Sequence, residues 1–186
     1  MIISTQSKNF CTGLDLEWLN NRCYESLITI EENTKKLEEI FKILNNISII
    51  KIAIIQGKII GAGIGIISCC DLVFAKKNCE FYLPEIKIGI LPAVILPYLA
   101  KTIGNKKALA YTLCQKKWDI NQALADGLVH EIIKDDAKIE IVINNILNIS
   151  KNELIDLLKY NDLNYSSAQL LAKAIFNNKN KIKQHA

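Results

Sequence analysis

Short apolar runs recur along the chain and predict buried strands. Residues 49–55 form a β-branched run whose only charge is Lys51. A run of this kind is typical of a strand that is covered on both faces. The predicted strands are residues 1–4, 49–55, 72–75, 80–83 and 128–133.

Between these runs, apolar residues are spaced three or four positions apart, which is the pattern of amphipathic helices. The spacing is clearest over residues 37–44. Further helices are predicted in the glycine-rich segment 61–70, after residue 92, over residues 119–127 and from residue 137 onward. Strands that alternate with helices predict an α/β fold with a largely parallel sheet.

Turn and capping residues separate the predicted elements. Gly57 is expected to form a turn after a strand, Gly104 to end a helix and Asn105 to cap the next one. Asp119 and Gln122 have the spacing of a capping box at the start of a short helix.

The chain contains neither an internal repeat nor a linker-like segment, and its last quarter becomes polar and basic. We therefore predict one domain. Its core spans residues 1–134, and residues 135–186 form a helical C-terminal portion of the same domain.

Composition narrows the classes of function. With 186 residues, 50% of them hydrophobic, the chain can bury a core and is not a disordered protein. A net charge of +4 with a single arginine, Arg22, does not indicate a nucleic-acid partner. The longest apolar stretch, residues 59–70, is too short to cross a bilayer, and no secretory signal is found. We expect a soluble, cytoplasmic protein without a membrane partner.

The six cysteines form no C-x-x-C motif, and the chain has only two histidines. A zinc site is therefore not expected, and we predict no metal ligands. Cys69 and Cys70 are expected to be buried thiols that pack as small apolar residues. Asp71 and His130 are assigned structural roles, and Tyr82 is either a core residue or a hydrogen-bond donor to a pocket.

The strongest chemical signal is the glycine-rich segment over residues 57–65, which matches neither the dinucleotide-binding fingerprint nor the P-loop. A glycine within a helix costs about 1 kcal/mol relative to alanine, so Gly63 and Gly65 need a compensating gain. One interpretation is close packing of the helix against a sheet. The other is a bare helix N-terminus whose free amides face an oxyanion.

Two further segments contain residues that could take part in catalysis or ligand binding. In residues 9–15, Gly13 permits a tight turn and Asp15 can cap the following helix. In residues 81–86, Glu85 stands between apolar neighbours, where burial would raise the pKa of its carboxyl towards the range of a general acid or base. The alternative is that Glu85 is an exposed loop glutamate.

Taken in order, these segments resemble the crotonase (enoyl-CoA hydratase/isomerase) superfamily. Residues 9–15 are similar to its A-F-x-A-G-x-D motif. Residues 54–71 are similar to the family segment in which a strand, an N-G pair, a glycine triplet and a helix are followed by C-D. Residues 81–92 resemble F-x-x-P-E-I-x-x-G-x-x-P, and residues 123–132 resemble A-x-x-x-G-L-V-x-x-I. The resemblance covers residues 1–133.

The resemblance implies a crotonase-like spiral of ββα units that binds an acyl thioester. By motif position, the backbone amides of Leu14 and Ala62 form the oxyanion hole, and Glu85 is the catalytic acid and base. The implied substrate-binding residues are Gly13, Gly61, Gly63 and Gly65. No cofactor is implied. The thioester is carried by an acyl carrier protein or coenzyme A, and the protein is expected to be a homo-oligomer, as a trimer or hexamer.

The sequence departs from the hydratase pattern at one important position. Hydratases of this family carry a second glutamate where this chain has Gly65. Activation of water by two carboxylates is therefore not expected, whereas one carboxylate can support dehydration or enoyl isomerisation. Gly65 would also widen the pocket beside the acyl chain.

Residues 83–99 resemble the crotonase-like dehydratases of polyketide β-branching. This predicts dehydration of a 3-hydroxy-3-methylglutaryl group on an acyl carrier protein in polyketide biosynthesis. The alternatives are an enoyl-CoA isomerase or hydratase, and an inactive or split-subunit protein of the same fold. The last alternative is based on the short segment before Asn9, which predicts a minimal form, a decaying copy or a separate N-terminal piece that covers Ile2 and Ile3.

Overall fold

A computed structural model describes residues 1–22, 24–134, 137–149 and 151–158. The chain divides into two compact units, Met1–Asp136 and Ala137–Ala186. The described helices of the second unit are α7 (Ala137–Leu147) and α8 (Lys151–Leu158). They agree with the helices predicted there, and residues 159–186 of the predicted helical portion lie outside the described residues.

The first unit is built on two sheets. The strands of the larger sheet, in spatial order, are β1 (Ile2–Ile3), β2 (Ile52–Ile55), β4 (Leu72–Lys76) and β7 (Glu131–Ile133), all parallel. The strands of the smaller sheet are β3 (Lys58–Ile60), β5 (Glu80–Tyr82) and β6 (Trp118–Asp119). β3 is parallel to β5, and only the β5–β6 pair is antiparallel among the described strands. The prediction of a largely parallel α/β fold is confirmed.

The helices of the first unit follow the strands in a repeating order. They are α1 (Leu16–Arg22), α2 (Leu27–Asn46), α3 (Ala62–Ser68), α4 (Leu96–Ile103), α5 (Asn105–Cys114) and α6 (Ile120–Ala125). A 3₁₀ turn spans Glu85–Ile88. One strand enters the larger sheet, the next enters the smaller sheet, and a helix or helical turn follows, as in β2–β3–α3 and β4–β5 with the 3₁₀ turn.

Several helix ends are where the sequence predicts them. Asp119 Oδ1 accepts a hydrogen bond from the Gln122 amide at 2.9 Å, which confirms the predicted cap of α6. Gly104 ends α4 with a φ of +86°, also as predicted. The prediction for Asn105 is wrong by one position, because Gly104 itself precedes the first turn of α5 and Asn105 is its first residue.

An ion pair fixes the starts of the two central strands of the larger sheet. Lys51 is only 4% exposed, and its Nζ lies 3.3 Å from Asp71 Oδ2. The same carboxylate oxygen accepts a hydrogen bond from the Lys51 amide at 2.7 Å. Asp71 therefore neutralises a buried charge and aligns β2 with β4, in agreement with the structural role predicted for it.

Helix α3 lies close to its neighbours because two of its residues are glycines. A Cβ at Gly65 would lie 2.7 Å from Phe41 Cε1, and a Cβ at Gly63 would lie 2.7 Å from Cys11 Cβ. Phe41 is 1% exposed, and its ring centroid is 5.8 Å from that of Tyr98. Of the two interpretations of these glycines, close packing is therefore the correct one for Gly63 and Gly65.

We expect Gly65→Ala to destabilise the protein even though alanine favours helix. The added methyl group overlaps the Phe41 ring, and overpacking of this kind typically costs about 1–3 kcal/mol. Denaturant unfolding of Gly65→Ala, Phe41→Leu and the double variant measures the coupling between the two positions. The cost of Gly65→Ala should shrink in the Phe41→Leu background, and an unchanged cost would contradict this account of the packing.

Asp71→Ala should be strongly destabilising, because it leaves Lys51 buried without its counter-charge. Breaking a buried pair costs about 3–5 kcal/mol, and we expect the lower end because the Asp71 side chain is one-third exposed. Lys51→Met is the matched control, since it removes the buried charge instead of orphaning it. Denaturant unfolding should show a larger loss for Asp71→Ala than for Lys51→Met, and the opposite order would refute the assignment.

Candidate active site

Three chain segments run side by side in the same direction and end at one edge of the fold. Residues 9–12 lie along β3, with a parallel bridge between Cys11 and Ile59. The Ile60 amide donates to the Cys11 carbonyl at 2.9 Å. β3 pairs in parallel with β5 on its other side. The residues that follow these segments, Gly13, Gly61 and Pro84, therefore come to the same edge of the smaller sheet.

The turn at Gly57 holds the first of these segments in place. Gly57 has a φ of +63°, and a Cβ there would lie 2.2 Å from the Lys8 carbonyl oxygen, so no side chain can be accommodated. Asn9 Oδ1 accepts a hydrogen bond from the Lys58 amide at 3.1 Å. The role of Asn9 could not be identified from the sequence, because its partner is 49 positions away along the chain.

Gly61 lies close to both of the other segments. Its φ is +52°, and its amide donates to the Tyr82 carbonyl at 3.0 Å. A Cβ at this position would lie 2.8 Å from Glu85 Oε1 and 3.6 Å from Gly13 Cα. Gly61 thus brings the turn at Gly13, the start of α3 and the Glu85 carboxyl into one small volume.

The two predicted oxyanion amides follow these glycines. Ala62 is the first residue of α3, where backbone amides have no partner within the helix. Within the described part of the chain, the amides of Leu14 and Ala62 donate to no protein acceptor. They are therefore free to bind an oxygen of a ligand, and the α3 terminus favours negative charge there.

A cavity of about 230 Å³ lies at this edge. The side chains that line it are mostly apolar, and its lining includes Gly13, Leu14, Gly61, Tyr82 and Glu85. Ala62 is not among the lining residues, although it directly follows Gly61. The structure thus brings four of the seven predicted site residues around one cavity.

Glu85 is the most unusual side chain of this cavity. It is 6% exposed, and its Oε2 has no hydrogen-bond partner among the described residues. Burial raises the pKa of the Glu85 carboxyl above its ordinary value, because desolvation disfavours the charged form. The alternative of an exposed loop glutamate is wrong. A raised pKa makes a carboxyl better suited both to accept and to return a proton.

Gly63 and Gly65 are placed differently from the prediction. Neither lines the cavity, and their packing against Cys11 and Phe41 accounts for both glycines. The expectation that Gly65 widens the acyl pocket is wrong, because the Phe41 ring fills the space beside it. Phe41 could not be identified from the sequence, since its spacing within α2 indicates only a core position.

A larger apolar cavity of about 610 Å³ shares Gly13, Leu14 and Ile90 with the smaller one. It lies between α1, α2 and residues 90–94, and Trp18 and Leu37 are among the residues that line it. The sequence did not reveal this cavity, because it forms between elements that are distant along the chain. It can accommodate an apolar group attached to a ligand in the smaller cavity.

His130 has the structural role predicted for it, and of the two cysteines predicted to be buried, Cys69 is buried whereas Cys70 is half-buried. His130 Nδ1 accepts a hydrogen bond from the Val73 amide at 2.9 Å. Burial raises the pKa of Cys69 to about 11 and that of Cys70 to about 12, so both remain thiols.

Among the described residues, no cluster of His, Cys, Asp or Glu side chains could hold a metal ion. None of the helices described is long and apolar enough to cross a membrane.

Comparison with known proteins identifies several relatives by sequence. The chain is 26% identical over 148 residues to the enoyl-CoA hydratase ACTT6 of Alternaria alternata, covering 80% of this chain and 48% of that protein. It is 28% identical over 123 residues to the bacillaene synthase dehydratase PksH of Bacillus subtilis, covering 64% of this chain and 46% of that protein. It is 31% identical over 155 residues to the mevalonyl-coenzyme A hydratase sidH of Aspergillus fumigatus, covering 81% of this chain and 55% of that protein. The chain spans about half the length of these relatives.

Solved structures show the same fold. An enoyl-CoA hydratase from Shewanella pealeana matches with a TM-score of 0.83 at 24% identity, over 98% of this chain and 69% of that one. A polyketide biosynthesis enoyl-CoA hydratase (pksH) from Bacillus subtilis matches with a TM-score of 0.76 at 21% identity, over 96% and 72%. The model of the family "Enoyl-CoA hydratase/isomerase" matches residues 1–174. The chain therefore belongs to the enoyl-CoA hydratase/isomerase family and has the crotonase fold.

Proposed function

We propose that the chain catalyses proton transfer at the carbon next to an acyl thioester. The thioester oxygen binds the amides of Leu14 and Ala62, and Glu85 acts on the adjacent carbon. The observation that carries this proposal is the buried Glu85 carboxyl, whose Oε2 is unpaired among the described residues and whose Oε1 approaches Gly61, the residue directly before Ala62. Gly13 and Gly61 are proposed to contact the substrate through their backbone.

The proposed reaction is the dehydration of a 3-hydroxyacyl group. The Glu85 carboxylate removes a proton from C2, and the negative charge moves to the thioester oxygen. Each amide donor there is worth about 3–4 kcal/mol of transition-state stabilisation. The protonated Glu85 then gives its proton to the oxygen on C3, the C3–O bond breaks, water leaves and the C2=C3 double bond forms. The carboxylate is regenerated.

Dehydration suits a site with one carboxylate. Where two-glutamate hydratases have their other carboxylate, this chain has Gly65, and Phe41 fills the adjoining space. We propose a 3-hydroxy-3-methylglutaryl type of substrate on an acyl carrier protein, in polyketide biosynthesis. This is supported by the pattern of residues 83–99 and by the similarity to PksH, which is named a bacillaene synthase dehydratase.

A second candidate function is isomerisation or hydration of an enoyl-CoA. One carboxylate that removes a proton from C2 can return it to another carbon, and several relatives are named enoyl-CoA hydratases. Assays with enoyl-CoA and with carrier-bound 3-hydroxyacyl substrates distinguish the two functions. Assembly into trimers or hexamers remains a prediction of the family resemblance, and a cytoplasmic location remains a prediction from the composition of the sequence.

Glu85→Gln should lower kcat for dehydration of carrier-bound 3-hydroxy-3-methylglutarate by about 10²–10⁴-fold, because it removes the general acid and base. KM should change little, since the thioester contacts are made by backbone amides. Steady-state kinetics measure both constants, and Glu32→Gln on the exposed face of α2 is the control. Turnover of Glu85→Gln near the wild-type rate would remove Glu85 from the mechanism.

The same substitution should stabilise the protein in a pH-dependent way. Because the folded-state pKa of Glu85 is raised above the unfolded one, its contribution to stability is full below the unfolded pKa and is lost as the pH rises through the folded pKa. Glutamine does not titrate. The melting temperature of Glu85→Gln, relative to wild type, should therefore rise as the pH rises above about 4 and level off above the folded-state pKa of Glu85. A difference that stays constant or falls would contradict the burial of an ionisable Glu85.

A further inference from the structure

Tyr82 is a second polar side chain at the proposed active site that the mechanism above does not use. It is the last residue of β5, three positions before Glu85, and it lines the smaller cavity. Its hydroxyl group makes no hydrogen bond with the described residues. Thr12, Tyr82 and Glu85 are the polar side chains among the residues that line this cavity.

Tyr82 contacts Gly61 through its backbone and Lys117 through its ring. Its carbonyl accepts the Gly61 amide at 3.0 Å, which ties its backbone to the start of α3. Lys117 Nζ lies 5.9 Å from the centroid of the Tyr82 ring, within the range of a cation–π contact. Lys117 also pairs with Glu80 Oε1 at 2.9 Å, at the other end of β5. The backbone of Tyr82 is thus tied to Gly61 and its ring lies near Lys117, while the hydroxyl has no partner among the described residues.

The proposed dehydration needs a group of this kind. Glu85 must act at two positions, first on the C2 proton and then on the oxygen that leaves C3. If a neutral donor also holds the 3-hydroxyl group by a hydrogen bond, that group stays within reach of the single carboxyl while it leaves. A tyrosine hydroxyl can donate a hydrogen bond.

We propose that Tyr82 is a further catalytic residue, which donates a hydrogen bond to the 3-hydroxyl oxygen of the substrate while the C3–O bond breaks. The proposal depends on the proposed function, because it assigns a role only in dehydration. Tyr82 lies on the chain segment that continues into Glu85, whereas Thr12 precedes the amide of Leu14 on the opposite segment. Tyr82 is therefore closer to Glu85 along the chain than Thr12 is.

The test compares two reactions of the full chain. One is dehydration of a 3-hydroxyacyl thioester on its carrier. The other is exchange of the C2 protons of a saturated acyl thioester without a 3-hydroxyl, followed in deuterium oxide. Tyr82→Phe should lower kcat for dehydration about tenfold or more, as expected for one lost hydrogen bond in the transition state, and should leave the exchange rate unchanged. Tyr24→Phe, whose side chain is 88% exposed, is the matched control.

Other outcomes would overturn the proposal. An equal loss of both reactions in Tyr82→Phe would assign the hydroxyl a structural role, and no loss would remove it from the reaction. A selective loss in Thr12→Val with none in Tyr82→Phe would assign the donor to Thr12. If the wild-type chain exchanged the C2 protons but dehydrated no 3-hydroxyacyl thioester, the role of Tyr82 would be overturned. Proton transfer by Glu85 would remain intact. Absence of both reactions in the wild-type chain would instead refute the proposed function itself.

Discussion

The parallel pairing of residues 9–12, β3 and β5 is the constraint on which the rest of the site depends. Hydrogen bonds along this pairing, such as that from the Ile60 amide to the Cys11 carbonyl, set the register of three segments that are far apart in sequence. Because they run in one direction, the turns that follow them meet at one edge. A free amide follows Gly13 on one segment and Gly61 on the next, and a buried carboxyl ends the third. The chemistry proposed for the chain requires this arrangement.

The site is obtained at a cost in stability. Glu85 is desolvated and its Oε2 is unpaired among the described residues, and the same burial that penalises its charged form raises its pKa. Packing offsets part of this cost elsewhere. The glycines of α3 weaken the helix locally, but they allow Phe41 and Cys11 to approach its backbone closely. One short segment therefore serves two purposes, with Gly61 shaping the site and Gly63 and Gly65 packing the core.

Local signals in the sequence predicted much of the fold. The buried strands, the cap at Asp119 and the helix end at Gly104 each follow from a few neighbouring residues. β3 was missed because its three residues form no recognisable run between two glycines. The ordered motifs identified Gly13, Leu14, Gly61 and Glu85, which line one cavity. They could not show that Phe41 fills the space beside Gly65, because a contact between distant elements has no local pattern.

The central claim is that two backbone amides polarise one thioester oxygen. The carbonyl stretching frequency of an isotopically labelled, unreactive acyl thioester reports this polarisation directly when the ligand is bound. The account predicts a lower frequency in the complex than in water, and the same lowering in Glu85→Gln, because the amides do not depend on the carboxyl. A bound thioester whose carbonyl frequency equals that in water would contradict the account.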